Sequence, residues 1–335
     1  MPSRLCVNKL SSFLPSTSEE KEGTHTKAQR HEEVRGEGAL ARPALSRHML
    51  FMDVQTPDLA QRLTPLVRRV LAPNPSPFTF TGTQTYIVGQ HDVAIIDPGP
   101  ADPAHIASIL AATQGERITT IICTHTHRDH SPAAAPLKAA TGAQIIGCAP
   151  LMLEDDGPRA DAAFDMTYAP DRVLTDGESL TGPGWTLESV ATPGHTSNHL
   201  CYHLVEENAL FTGDHVMGWS TTVVSPPDGD MADYMRSLDR LMARSDAVYY
   251  PAHGEPVTKP QQFVRGLAGH RKQREKQILR MLENGEGVIA DMVPKMYAGI
   301  DEQLYGAAGR SVLAHLIDLR DRGQVRQAAG RWIAG

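Results

Sequence analysis

Cysteine is scarce in this sequence. Four occur in 335 residues (Cys6, Cys123, Cys148 and Cys201), none in CxxC spacing. That excludes a disulfide-dense scaffold and a thiolate zinc finger. It suits a reducing, cytoplasmic setting with buried, unreactive thiols. Aromatic residues make up only 5%, which argues against an extended platform for stacking nucleobases. No apolar run approaches the ~20 residues of a membrane helix, so no membrane partner is expected. No GxSxG occurs, which removes hydrolases built on a strained serine elbow. A secretory signal is not expected either: Arg4 and Lys9 are followed by polar, acidic SSFLPSTSEEKEG rather than an apolar stretch. Net charge is −7, so the chain as a whole is no polybasic nucleic-acid binder.

What is present divides the chain in three. Residues 1–48 are charged, poor in aliphatics and without periodicity, and read as a disordered tail or an extension upstream of the true start. From about residue 78, short β-branched runs recur: TYIVG (85–89), VAIID (93–97), ITTIIC (118–123), AQIIGC (143–148), TLESVA (186–191), LCYHLV (200–205), ALFTG (209–213) and AVYYPA (247–252). Gly, Pro, Asp or His punctuate them, as expected for strands carrying functional residues at their ends. Helical periodicity lies between them at 103–113, 131–140 and 233–243. Hydrophobic residues at 41% are enough for a packed core, and 49–259 reads as one α/β domain. Residues 260–335 read as a smaller, mostly helical domain. It contains a long basic helix from Pro260, a second helix around Val288–Met296 in which Pro294 is awkward, and a third ending at Gly323. A terminal β-ribbon turns at Ala328-Ala329-Gly330. This part holds twelve Lys/Arg against eight Asp/Glu, a net +4, which leaves −11 for the rest of the chain.

Chemistry concentrates at the strand ends. CTHTHRDHS supplies His125, His127, Asp129 and His130 within six residues of one another, directly after an apolar run. His195 follows in ATPGHTSNH, Asp214 in LFTGDHV and His253 in YPAHGE. Neutral imidazole and carboxylate are good ligands for zinc and related divalent cations. Five histidines and two aspartates, gathered behind four strand-like runs, are enough to hold two cations with one bridging carboxylate.

HxHxDH followed by PGHT, TGD and PxHG resembles the metallo-β-lactamase fold hydrolase superfamily over roughly residues 78–258. The resemblance implies an αββα sandwich with the site at one sheet edge. It also implies that His125, His127 and His195 hold one metal, that Asp129, His130 and His253 hold the other, and that Asp214 bridges. FTGTQTYIVG, THTHRDHS, the GDHVMGWSTTVVSPPDGDMADYMRSL stretch and HRKQREKQIL further resemble the β-lactamase-like protein 2 group, which carries a C-terminal winged-helix-like domain. SPAA stands here where SGG is usual in that group.

The expected mechanism is hydrolysis by a metal-bridging hydroxide, formed because two cations lower the pKa of water from 15.7 toward ~7. Asp129 and His130 are the candidate catalytic residues, Asp129 orienting the nucleophile and shuttling its proton. Two divalent ions are expected, zinc first, with iron and manganese suited to the same ligands. The leading substrate is a small ester, thioester, lactone or similar carbonyl compound. The alternative is a metal-dependent endoribonuclease acting on single-stranded RNA, which the narrower resemblance implies and the +4 segment suits.

Other residues carry milder readings. Asp97 in IIDPG reads either as a turn former or as a hydrogen-bonding support for the site. His203 reads as an ordinary strand position, His199 reads first as the same and second as lining the site, and His215 is open. His25, His31, His270 and His315 read as structural or solvated. Ser220, Thr221 and Thr222 either touch substrate or pack a loop. Arg271, Lys272, Arg274, Lys276 and Arg280 read first as a solvated helix face and second as phosphate contacts.

Overall fold

A computed structural model describes residues 60–151 and 164–335. The expected tail at 1–48 and the first residues of the catalytic segment lie outside the described residues. Among the latter, seven strands form one sheet in chain order: β1 (Gln61–Arg62), β2 (Val67–Leu71), β3 (Gln84–Gln90), β4 (Asp92–Ile96), β5 (Arg117–Cys123), β6 (Gln144–Gly147) and β7 (Arg172–Val173). The first four pair antiparallel, and β4 through β7 run parallel. Parallel neighbours need a crossover. Helix α1 (Pro103–Ala112) joins β4 to β5, and α2 (Ala134–Thr141) joins β5 to β6. Asp102 caps α1 by accepting from the His105 amide at 2.9 Å, with Pro103 at the first helical position.

A second sheet of five strands has the order β12-β11-β10-β9-β8. These are β8 (Ser179–Gly182), β9 (Trp185–Ala191), β10 (Leu200–Leu204), β11 (Ala209–Gly213) and β12 (Val248–Pro251). Side chains alternate across its two faces. Leu187, Tyr202, Phe211 and Tyr250 join Tyr86, Ile87, Ile95 and Ile121 of the first sheet in one core, which also takes in Ile109 of α1 and Leu137 of α2. Val190, Cys201, Leu210 and Tyr249 point the other way and pack with α3 (Met231–Met242) and the start of α4 (Pro260–Glu283). Burial on both faces explains why ALFTG is continuously apolar rather than alternating. The result is the expected αββα sandwich. Four strands of the two sheets escape the sequence reading: β1 and β7 have only two residues each, Arg68 and Arg69 interrupt β2, and β8 (SLTG) is short and mostly exposed. Arg69 is nonetheless buried, donating to Gln61 Oε1 at 2.7 Å and Glu255 Oε2 at 2.9 Å.

After α4 come α5 (Ile289–Met296), α6 (Tyr305–Asp321) and a two-stranded ribbon, β13 (Val325–Ala328) with β14 (Arg331–Ala334). Helix α5 runs through Pro294, whose missing N–H is tolerated because Met292, Val293 and Met296 are buried in a separate small core. Helix α4 serves both cores. Val264, Leu267 and Ala268 belong to the sandwich, and Ile278 and Leu282 to the C-terminal part. Both parts lie within one compact unit. Among the described residues, no helix is long and apolar enough to cross a membrane.

Candidate metal centre

All seven candidate ligands sit just beyond the ends of strands at one edge of the sandwich. The chain leaves β5 at Cys123 and turns sharply, with the amides of His130 and Ser131 donating to the carbonyl of His127 at 2.9 and 3.2 Å. That turn lets His125, His127, Asp129 and His130 face a small volume. His195 comes from the connection between β9 and β10, Asp214 from the end of β11, and His253 from the end of β12. Gly213 makes the approach of Asp214 feasible. Its φ is +48°, and a Cβ there would lie 2.6 Å from both His199 Nε2 and Thr124 Oγ1.

The donor atoms fall into two groups, His125, His127, His195 and Asp214 in one and Asp129, His130 and His253 in the other. Within each group the atoms lie within 4.8 Å of one another. Nδ1 of His127 is 3.0 Å from Nε2 of His125 and 3.1 Å from Nε2 of His195. Oδ2 of Asp129 is 3.1 Å from His253 Nε2 and 3.3 Å from His130 Nε2. The Asp214 carboxylate lies between the groups. Its Oδ2 is 3.6 Å from His195 Nε2, while Oδ1 is 3.2 Å from His253 Nε2 and 3.6 Å from His130 Nε2. Six of the seven are closed off from water; the Asp129 side chain, 27% exposed, is the open one.

The outer hydrogen bonds of the histidines set their tautomers. Nδ1 of His195 is 2.7 Å from the carbonyl of Val223, and Nδ1 of His253 is 3.2 Å from that of Gly82. Carbonyls only accept, so in the neutral ring each Nδ1 carries the proton and each Nε2 offers a lone pair inward. His130 Nδ1 meets Oδ2 of Asp97 at 3.0 Å, with the same consequence. Thr124 donates its hydroxyl proton to Asp97 Oδ2 at 2.8 Å and so accepts from His125 Nδ1 at 3.0 Å. Four imidazole lone pairs and two carboxylates therefore converge with no proton donor among them in the neutral ring forms. Nε2 of His130 and Oδ1 of Asp214 are buried without a hydrogen-bond partner. Such a set fits divalent cations, whose ligating histidines typically donate their other ring N–H to an acceptor.

Electrostatics separates the groups. Burial, followed by the neighbouring His195, pushes His127 down to about 3, and burial and its histidine neighbours also lower His125. Burial opposes protonation of His253 as well, but Asp214 and Asp129 outweigh it and lift the group to about 10. Burial lowers His130 too, yet Asp129, Asp214 and Asp97 carry it upward on balance. Burial likewise favours the neutral acids of Asp129 and Asp214. The charged imidazoles of His130 and His253 prevail and hold both well below the usual carboxylate range.

The structure also decides the milder sequence readings. Asp97 is both bent and supportive: its φ is +49°, it is buried, and its carboxylate also accepts the Thr124 amide at 2.8 Å. His199 lies beneath the site. Its ring centroid lies 5.2 Å from that of His125 with the planes tilted, Thr192 Oγ1 meets its Nδ1 at 2.9 Å, and its Nε2 accepts the Asp214 amide at 3.3 Å. His203 lies away from the site, 3.2 Å from Asn208 Oδ1. His215 is buried against Tyr234 with neither nitrogen partnered. Thr222 meets His195 Nδ1 with its hydroxyl at 3.0 Å. On α4, Arg271 is buried, and Arg274 donates to the Met296 carbonyl and stacks on Tyr297; Lys272, Lys276 and Arg280 remain on the exposed face. The signal for Arg271 was legible: 264, 267, 268, 271, 278 and 282 form one buried stripe at helical spacing. Cys123, Cys148 and Cys201 are free and buried, and burial pushes the Cys201 thiol up to about 12.

Comparison with known proteins agrees with this layout. Residues 78–253 match the metallo-beta-lactamase superfamily, and residues 289–332 match the beta-lactamase associated winged helix domain. The chain is 34% identical over 236 residues to an atrochrysone carboxyl ACP thioesterase of Aspergillus fumigatus, covering 68% of this chain and 69% of that protein. It is 32% identical over 277 residues to a beta-lactamase-like protein 2 homolog of Drosophila melanogaster, covering 79% and 91%. Among solved structures, a beta-lactamase domain protein from Burkholderia ambifaria superposes with a TM-score of 0.71 at 21% identity, over 85% of this chain and 96% of that one. At that identity the likeness speaks to fold alone. A sandwich with its histidines and aspartates gathered at one edge, continued by a winged helix, makes this chain a metal-dependent hydrolase belonging to the metallo-β-lactamase superfamily.

Proposed function

We propose that the protein is a dinuclear hydrolase of small carbonyl substrates, thioesters foremost, with zinc as the resident cation. The observation that carries this reading is the Asp214 carboxylate, with one oxygen toward His195 and the other toward His130 and His253. His125, His127 and His195 would hold one cation, Asp129, His130 and His253 the other, and Asp214 would contact both. When bound, the pair supplies Lewis-acid activation of a water and of the substrate's carbonyl oxygen.

The chain's own groups do the rest. Asp129 is the open member of the set and faces incoming solvent. Its carboxylate orients the attacking water and takes up its proton. His130 Nε2 lies 3.3 Å away and would share the same cation. The water oxygen bonds to the carbonyl carbon, the carbon–sulfur bond breaks, and Asp129 returns the proton to the leaving sulfur. Similarity to a protein named as an acyl carrier protein thioesterase supports the choice of substrate class. Free, buried thiols suit a reducing cytoplasm.

The test is metal analysis of reconstituted protein, paired with an activity panel of thioester, lactone, nitrocefin and single-stranded RNA. Two equivalents of zinc and preferred thioester cleavage are expected. Failure to take up stoichiometric zinc, manganese or iron would overturn the reading. Preferred cleavage of RNA would replace the carbonyl substrate with the nuclease alternative.

A further inference from the structure

Between β11 and α3 the chain runs from Asp214 to Asp230 with no helix or strand. Loops of this length are uncommon in compact domains unless something ties them down. Here the ties come from the C-terminal helices. From α4, Nη2 of Arg271 donates to the Thr222 carbonyl at 2.5 Å. From α6, Ser311 Oγ accepts the Val224 amide at 3.5 Å. Arg310, also on α6, donates through Nε to Ser225 Oγ at 3.2 Å and through Nη2 to the Pro226 carbonyl.

The same segment holds His195. Its Nδ1 is met by the Val223 carbonyl at 2.7 Å and by Thr222 Oγ1 at 3.0 Å. One residue thus offers its carbonyl to Arg271 and its hydroxyl to the imidazole, and the next carbonyl along receives the imidazole proton. Arg271 has little freedom of its own. It is 3% exposed, lies 5.0 Å over the ring of buried Tyr234, and has an Nε with no partner. Burying a guanidinium with its Nε unpartnered is an expensive way to hold a loop. A residue serving only the hydrophobic stripe of α4 would be aliphatic.

We infer that Arg271 is a positioning residue: through segment 222–226 it fixes the rotamer and tautomer of His195, so that the C-terminal domain completes the first cation site. The inference rests on the dinuclear reading above. Helix α4 is then a structural part of the centre, and Arg310 and Ser311 bring the winged-helix segment to the same loop.

The test uses the full chain, stripped of metal and titrated with Zn2+ against a competing chelator, with Co2+ as a spectroscopic probe. Wild type is compared with Arg271→Ala, Arg271→Lys and Arg310→Ala. Arg310 is only partly buried, so its variant loosens the segment while leaving the α4 packing intact. Arg271→Ala and Arg310→Ala are expected to lose ~10–100-fold in affinity for one cation, the range typical of an outer partner of a ligating histidine, and to keep the other. The visible cobalt spectrum should change at the weakened site. Arg271→Lys, which keeps a donor within reach of the Thr222 carbonyl, should recover part of the loss. Should Arg271→Ala fail to fold, Arg310→Ala and Arg271→Lys decide. Wild-type uptake of two cations together with unchanged affinities and spectra in the folded variants overturns this inference alone. A wild type that takes up none overturns the dinuclear reading and this inference with it.

Discussion

Nδ1 of His130 lies 3.0 Å from Oδ2 of Asp97, and both side chains are shut away from water. Asp97 receives two further donors, the amide and the hydroxyl of Thr124, each at 2.8 Å. Through Thr124 it reaches His125, so one carboxylate outside the ligand set orients an imidazole in each group.

That arrangement makes Asp97→Asn a sharp probe. All the groups facing the carboxylate donate, so an amide nitrogen in either orientation confronts one of them. Unfolding of the metal-free protein in urea should show a loss of ~1–3 kcal/mol, the usual penalty for an unsatisfied buried donor. Affinity for the cation held by His130 should fall ~10–100-fold in a chelator competition. Unaltered affinity would reduce Asp97 to a turn former.

Asp214→Ala removes the one carboxylate that faces both groups. Both cations and hydrolase activity should be lost together, by more than the ~10–100-fold typical of an outer partner. Metal content by mass spectrometry and turnover of a model thioester read the two effects. Retention of both ions would contradict a bridging role.

His315 gives the C-terminal part a dependence on acid. It is 2% exposed, with neither ring nitrogen partnered. Burial first, then the charges of Arg271 and its neighbours, push it down to about 3. The folded state thus holds the neutral ring while the unfolded chain protonates near 6.5. Its contribution to stability is complete above about pH 6.5 and is lost as pH falls from there toward 3, at up to ~1.4 kcal/mol per pH unit. His315→Leu removes the titration and leaves no polar atom stranded. Urea midpoints measured between pH 7 and pH 4 should fall more steeply for wild type than for the variant; parallel slopes would exclude the effect.

The candidate ligands and the strands before them were visible in sequence for a physical reason. A strand buried on both faces has no room for an unpaired charge, so the first charged residue after ALFTG marks the sheet edge, and that residue is Asp214. β2 was hidden because Arg69 pairs with Glu255, which is 186 residues away in sequence. Choosing between the two readings of His199 required the fold, because alternation alone cannot say that the chain entering β10 lies beneath His125. Arg271 was misread as part of a solvated face, although it falls where the α4 stripe calls for an aliphatic residue. A charged residue in an apolar register was the visible mark of a polar job, and its partner, the Thr222 carbonyl, could come only from the fold.

Gly213 offers a last test, separating backbone strain from crowding. Alanine there meets two penalties. A φ of +48° disfavours any Cβ by ~1–2 kcal/mol, and the new methyl would press on His199 and Thr124 from 2.6 Å, adding ~1–3 kcal/mol of overpacking. Gly285 is the control, because its φ is +79° and a Cβ there meets nothing within 4 Å. Gly285→Ala should lower the urea midpoint modestly and leave metal binding alone. Gly213→Ala should lower it further and weaken both cations, since Asp214 is the next residue and its amide donates to His199 at 3.3 Å. Equal midpoints and equal affinities in the two variants would mean that the close approach of β11 to the His125 turn does not set the position of Asp214.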